Sequence, residues 1–240
     1  MKSKRLLPVV FSLLLFLTGI AISLSLSAVM LWGELEARLI NQQIGDESLD
    51  LSCPLAIAPW ETASIRTTIT NTLTDQATKP VVNAFIGQGE NARVISETLE
   101  LAPLESQPLE WTVNGSDIAF ERVVLVNIFQ RPYRELPSRQ DACSILVMSL
   151  FELDGKGSLF LLIAMSLALI LGGAGWLLLL LRPLNELTKN IVQLNGLFLG
   201  LVLLGLVTSL TRLWGLTIFL DCAALLAVTA GNVEIFLRRR

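Results

Sequence analysis

Four transmembrane helices and one extracytoplasmic all-β sandwich domain, inserted between the first helix and the second, are what this sequence predicts. Three observations carry the prediction. Residues 6–32, 157–181 and 194–210 hold no charged side chain, and residues 216–237 hold two, Asp221 and Glu234. The stretch between the first two of these runs alternates apolar and polar residues with period two. Charge is also segregated: positions 34–156 carry 18 Asp/Glu against 9 Lys/Arg, and the rest of the chain carries 3 against 9. Acid in one segment and base in the others is the pattern of a membrane protein, not of a nucleic-acid binder.

Composition agrees. The 240 residues are 52% hydrophobic and have a mean hydropathy of +0.62. That is too apolar for a water-soluble domain and too polar for a chain lying wholly in lipid. There are no histidines, which removes the commonest general base and the commonest metal ligand.

The first element starts after a basic cytoplasmic N-terminus, residues 1–5, and runs over 6–32. Its 27 uncharged residues span about 40 Å as a helix, more than the ~30 Å hydrocarbon core. A cleaved signal peptide has a shorter apolar core and a small-residue cleavage site. Leu26-Ser27-Ala28 is a poor version of one, so a retained signal-anchor is expected. Glu34 and Arg38 stand four residues apart, which lets the helix continue beyond the apolar run.

Residues 33–156 follow as a stalk and β domain. Ala63, Ile65, Thr67 and Ile69 alternate most clearly. Other short runs lie at 49–53, 81–86, 94–101, 109–113, 123–129 and 143–150, with Pro, Gly or Asn between them. Seven strands at this spacing predict an antiparallel, immunoglobulin-like sandwich. Leu109, Trp111 and Val113 are expected to face its core. Residues 123–129 are apolar on both faces and are expected to form a central strand.

Residues 157–181 are the second span, 182–193 a cytoplasmic loop, 194–210 the third span, 211–215 an outer turn, 216–237 the fourth span and 238–240 the cytoplasmic C-terminus. One side of the bilayer would hold Lys2, Lys4, Arg5, Arg182, Lys189, Arg238, Arg239 and Arg240, against Arg212 alone in the other short loop. The positive-inside rule then makes both termini cytoplasmic and the β domain extracytoplasmic, in the plasma or inner membrane. Trp32 and Trp214 fall at the outer interface.

Cys53 opens the first strand and Cys143 the last. Both lie on the side where disulfides persist, so a bridge between them is expected, the alternative being two buried thiols. Cys222 is expected to serve as a small apolar residue of the fourth helix.

Asp221 is the most unusual residue, an acid inside a span. Ser23 and Ser166 lie at about its depth, with Thr208 nearer the outer surface. One acid among hydroxyls fits a structural or partner-binding role better than an ion pathway. Small residues recur at every fourth position: Gly19, Ser23 and Ser27; Ala164, Ala168 and Gly172; Gly196 and Gly200; Ala223, Ala227 and Gly231. In lipid such stripes let helices approach closely, within one bundle or against another subunit.

Residues 181–188, Leu-Arg-Pro-Leu-Asn-Glu-Leu-Thr, resemble the junction at which a sensor receptor's last membrane helix enters a HAMP linker. The chain then turns back to an apolar run at Leu194 instead of continuing to an output domain, and Pro183 reads as a helix-start proline. The layout also resembles claudin-like tetraspan proteins in topology, without their tryptophan and paired-cysteine signature in the first outer loop, so no function is carried from it.

No GxSxG, P-loop, HExxH, GxGxxG, CxxC or EF-hand pattern occurs. The expectation is a non-enzymatic accessory or scaffold subunit with no cofactor and no bound metal. Its partners would be the lipid bilayer and either other membrane subunits or further copies of itself, and not nucleic acid. Two alternatives stand beside it: a surface adhesion or ligand-recognition protein, and a small transporter or channel built on Asp221.

Overall fold

A computed structural model describes residues 6–40, 45–88, 92–180, 186–211, 213, 215–220, 222–224 and 226. The chain divides into two compact units, one formed by Met1–Leu31 and Phe160–Arg240 and the other by Trp32–Leu159.

The second unit is a mixed, mainly antiparallel β domain. Its strands are β1 (Glu47–Ser48), β2 (Leu51–Ser52), β3 (Ala56–Ile57), β4 (Thr62–Thr70), β5 (Val81–Ile86), β6 (Arg93–Thr98), β7 (Ser106–Asn114), β8 (Ile118–Ala119), β9 (Val123–Gln130) and β10 (Arg139–Val147). One sheet has the order β1-β10-β9-β5-β6, with β3 also on β10 and β8 on β9. The other has the order β2-β4-β7. Both feed one core. Ile65, Ile69, Leu109, Trp111 and Val113 enter it from the three-stranded sheet, and Val82, Ala84, Ile86, Val124, Val126, Ile128 and Ile145 from the larger one. The period-two positions of β4 and β7 thus point where alternation requires.

The expected first strand at 49–53 is instead three two-residue pairings. The chain joins β10 in parallel at β1, crosses to β4 at β2 and returns to β10 at β3. Pro54, which has no N–H to offer a ladder, sits at the second crossing. The disulfide Cys53–Cys143, with Cα atoms 6.6 Å apart, fastens the same crossing to β10.

β9 is central, between β10 and β5, and buried along its whole length. Its outer face is covered by the end of helix α1 (Leu6–Leu39). A Cβ on Gly33 would lie 2.8 Å from Ser144 Oγ, so only glycine allows the helix to come this close to the sheet. Asn127, fully buried, donates to the carbonyl of Ala37 (3.0 Å) and accepts from Gln140 (3.2 Å). The β9 amide therefore satisfies a carbonyl at the end of the helix that the helix itself leaves open. Arg38 pairs with Glu34 at 3.3 Å, the i,i+4 contact its spacing predicts, and with Asp141 on β10 at 3.6 Å.

The first unit is helical. It holds most of α1, most of α2 (Gly155–Leu180), α3 (Glu186–Leu210) and the helical residues 215–220 and 222–224. Residues Leu7–Leu39 and Gly155–Leu177 are long and apolar enough to cross a membrane, whereas Gly196–Leu210 is a shorter apolar helix. Helix α3 starts at Glu186, so much of the expected loop 182–193 is helical.

α1 and α2 pack antiparallel through two reciprocal hydrogen bonds. Ser12 Oγ donates to Gly173 O (2.6 Å), and Ser166 Oγ donates to Gly19 O (2.8 Å). The two contacts are seven residues apart on each helix, two turns, so they recur on one face. Both accepting carbonyls belong to glycines, where the backbones can meet. A Cβ on Gly19 would stand 2.8 Å from Ser166 O, and one on Gly173 2.6 Å from Phe16 N. Phe16, Ile20 and Ile170 fill the space between, with Phe198 and Leu199 of α3 against them.

Candidate functional site

The β domain carries an open cleft of about 600 Å³. It exists because the chain between β2 and β3 leaves one sheet for the other and does not fill the gap. Ser52, Cys53 and Pro54 form one wall, Thr62, Ser64 and Arg66 of β4 another, and Asp154 and Lys156 close one end. Glu61 fixes this corner. Its Oε2 accepts from Ala58 N (2.6 Å) and from Gly155 N (2.9 Å), so the carboxylate ties the β3–β4 turn to the first residue of α2. Its negative charge also faces the N-terminal end of that helix, where it is favourable.

The lining is mixed in charge, with Arg66 and Lys156 beside Glu61 and Asp154, and carries the hydroxyls of Ser52, Thr62 and Ser64. Arg66 Nη2 contacts Glu110 at 3.1 Å, and both side chains are largely exposed. Among the described residues Lys156 has no ion-pair partner. One lining hydroxyl, that of Ser64, hydrogen-bonds the Glu110 carboxylate, which the Arg66 guanidinium also holds. Among the described residues no group of three His, Cys, Asp or Glu side chains is placed to hold a metal ion.

A second groove, of about 350 Å³, runs along the α1 end between Arg38, Asp46, Glu47, Gln140 and Asp141. Ser138 Oγ donates to Asp46 (2.6 Å) and Arg139 to Glu47 (2.8 Å), so its acids are engaged in holding β1 to β10.

Surface ion pairs set a modest pH response. The Arg66 guanidinium, and then the Ser64 hydroxyl, hold the Glu110 carboxyl below its ordinary value. Lys79, by hydrogen bond and charge, lowers Glu100, and Glu100 raises Lys79 in return. For the two lowered carboxyls, the stabilisation is present above the ordinary glutamate value of 4.5 and is lost as pH falls through the folded-state value. For Lys79 it is present below 10.5 and lost as pH rises through the raised value. Thermal unfolding of the full chain in detergent at pH 7 and pH 3.5 should show a small acid-induced loss. In the Glu100→Gln/Glu110→Gln variant that loss should be smaller, because surface pairs contribute little each.

The residues expected from the sequence to matter fall into distinct places. Cys53 and Cys143 are bonded. Ser166 and Gly19 meet in the α1–α2 contact, and Ser23 and Ser27 are buried on the same helix. Ser23 Oγ has no hydrogen-bond partner among the described residues. On α2 the packed face is Ser166, Ile170 and Gly173. Ala168 and Gly172 are exposed, and Ala164 is half-buried. The stripe at 164, 168 and 172 is rotated away because α1 seats on the serine and glycine carrying the hydrogen bonds. Gly196 and Gly200 have, among the described residues, open space where a Cβ would stand, and Ala223 is half-buried. Thr208 accepts from Thr217 at 2.9 Å across the last turn. Asp221, Ala227, Gly231, Lys2, Lys4, Arg5, Arg182, Arg212, Trp214, Arg238, Arg239 and Arg240 lie outside the described residues, as does the side chain of Lys189.

No protein-family model matches the chain, and no curated protein sequence matches it. Among solved structures it is similar to a cycloisomaltooligosaccharide glucanotransferase from Paenibacillus, at 17% identity and a TM-score of 0.35, over 45% of this chain and 15% of that one. It is also similar to a CARDB domain from Pyrococcus furiosus, at 13% identity and a TM-score of 0.32, over 43% of this chain and 90% of that one. A third likeness is to a superoxide reductase (neelaredoxin) from Ignicoccus hospitalis, at 6% identity and a TM-score of 0.32, over 43% and 82% of the two chains. The chain spans about one seventh of the glucanotransferase's length. Scores this low carry no function across.

Proposed function

We propose that this chain is a non-enzymatic integral membrane subunit with four spans. Its β domain lies outside, its termini lie in the cytoplasm, and it works by packing against other membrane proteins. The single observation that supports the subunit role is the uneven use of helical glycines. Gly19 and Gly173 are spent inside the chain, whereas Gly172, Gly175, Gly196 and Gly200 have, among the described residues, no atom within 4 Å of where a Cβ would stand. Glycine in a lipid-facing helix offers close backbone approach, which is the chief means of helix association where water is absent. Here α2 and α3 hold that capacity in reserve.

The spans themselves are supported by the two long apolar helices and the positive-inside pattern of the charged residues. The outside placement of the β domain is supported by its disulfide. The immunoglobulin-like reading is supported by strand order: β2-β4-β7 over β10-β9-β5-β6 follows the ABE and GFCC′ order of such sandwiches. The bridge joins β10 to the segment after β2, not the two strands that antibody domains link.

The test is purification in gentle detergent from the native membrane, comparing the parent chain with a Gly196→Leu/Gly200→Leu variant. The variant should fold and insert normally but lose co-purifying membrane proteins. Equal recovery of those proteins with both chains would remove this surface from the account.

The recognition-module reading is favoured by the cleft at Arg66 and Lys156, which has room for a polar group. The transporter reading rests on Asp221, which lies outside the described residues.

A further inference from the structure

One end of the β domain is aromatic, exposed and strained. The β8–β9 connection carries Phe120-Glu121 and the β10–α2 connection carries Phe151-Glu152, and all four residues have positive φ (51°, 61°, 52° and 61°). Two successive left-handed residues make the tight turn usually given to Asn-Gly, because a Cβ is unfavourable there. A bulky Phe leads both turns and is not hidden: Phe151 is 86% exposed and Phe120 is half exposed. Trp60, at 61% exposure, and Leu153 are also in the open.

These groups share one end of the domain. Trp32 stacks edge-on against Phe120, ring centres 4.9 Å apart. Val147 N donates to Arg122 O (2.7 Å) and Met148 N to Ile57 O (3.0 Å), which binds the two Phe turns and the β3–β4 turn side by side. Glu61 ties Gly155 to the same corner. The two chain segments that leave this domain for long apolar helices depart from this end, at Trp32 and at Gly155.

We infer that this rim is a bilayer-contacting face, with Phe120 and Phe151 inserted at headgroup depth so that the turns, as well as the helices, hold the β domain against the lipid. The inference rests on the membrane reading above. The occupant is lipid because an apolar helix continues from each exit of this same end, so bilayer is the medium the rim meets first. The indoles of Trp32 and Trp60 suit that interface, and exposed Phe side chains supply the apolar insertion. The charged residues of the rim, Glu121, Glu152 and Asp154 against Arg122 and Lys156, do not sum to a cationic patch. Contact is therefore driven by apolar insertion and needs no anionic lipid.

The test uses the full chain with Cys222→Ser, reconstituted in phosphatidylcholine nanodiscs, and a nitroxide attached through Phe151→Cys or, at the other end of the domain, Leu104→Cys. Leu104 is itself 62% exposed and has positive φ, so it controls for exposure and turn geometry. The ratio of collision with oxygen to collision with an aqueous nickel chelate should be several-fold higher at position 151 than at 104. Membrane retention after alkaline carbonate extraction is scored in parallel on the chain in its native membrane. Equal ratios in a carbonate-resistant chain overturn this inference alone. Release by carbonate overturns the membrane reading, and the inference falls with it.

Discussion

Replacing Cys53 and Cys143 by serine should remove most of the stability of the β domain. The bridge closes a loop with a sequence separation of 90 residues. In the chain-entropy model a loop of that size constrains the unfolded chain by about 4–5 kcal/mol, against a typical domain stability of about 5–15 kcal/mol. The position raises the effect. Cys53 lies where the chain crosses between sheets on pairings only two residues long, and such pairings do not hold register by themselves. Without the bond, β2 and β3 should detach first and open the core beside Ile57, followed by the whole domain. Limited proteolysis should reveal cleavage near residues 50–60, and thermal unfolding of the variant should fall well below that of the parent. A variant that melts with the parent and resists the protease would show that the crossing is held by packing alone.

Leucine at Gly173 of α2 should be strongly destabilising, and leucine at the neighbouring Gly172 nearly neutral. At Gly173→Leu the new side chain meets the backbone of Phe16, and the helices must separate. That forfeits the Ser12 hydrogen bond and the packing of Ile170. Overpacking of this kind costs about 1–3 kcal/mol, and an interhelical hydrogen bond in lipid adds about 0.6–1.7 kcal/mol. Gly172→Leu places the same side chain where no described residue lies within 4 Å, so its effect on the isolated chain should stay within about 0.5 kcal/mol. Unfolding of the full chain by titrating denaturing into mild detergent measures both. Equal losses would mean that the α1–α2 register differs from the one set by Ser12 and Ser166.

What the sequence makes legible follows from how local each signal is. Glu34 and Arg38, four residues apart, report a helix continuing past the apolar run, and they pair as that spacing requires. The alternation at Leu109, Trp111 and Val113 reports a half-buried strand, and all three enter the core. Residues 123–129, apolar on both faces, report a strand covered on both sides. What covers the outer side is not local: it is the α1 tail, and Gly33 is the one residue that could have suggested it.

The crossing at 47–57 leaves no trace because two-residue pairings have no period to detect. In α2 the small residues at 164, 168 and 172 form as good a pattern as those that pack. The deciding information is relational. Ser12 and Gly19 on one helix match Ser166 and Gly173 on the other at equal seven-residue spacing, in opposite chain direction. The match exists only between the two helices and in neither one alone. The Phe-Glu turns carry no turn chemistry at all, which is why strands were legible around them and the turns themselves were not.

The central claim is that this chain belongs to a larger membrane assembly. The most direct measurement is purification of a tagged parent chain from its native membrane in gentle detergent, with the mass of the particle and the identity of every co-eluting protein determined. The account predicts a particle containing other membrane proteins in fixed stoichiometry with this chain. A lone monomer, free of any partner, would contradict it.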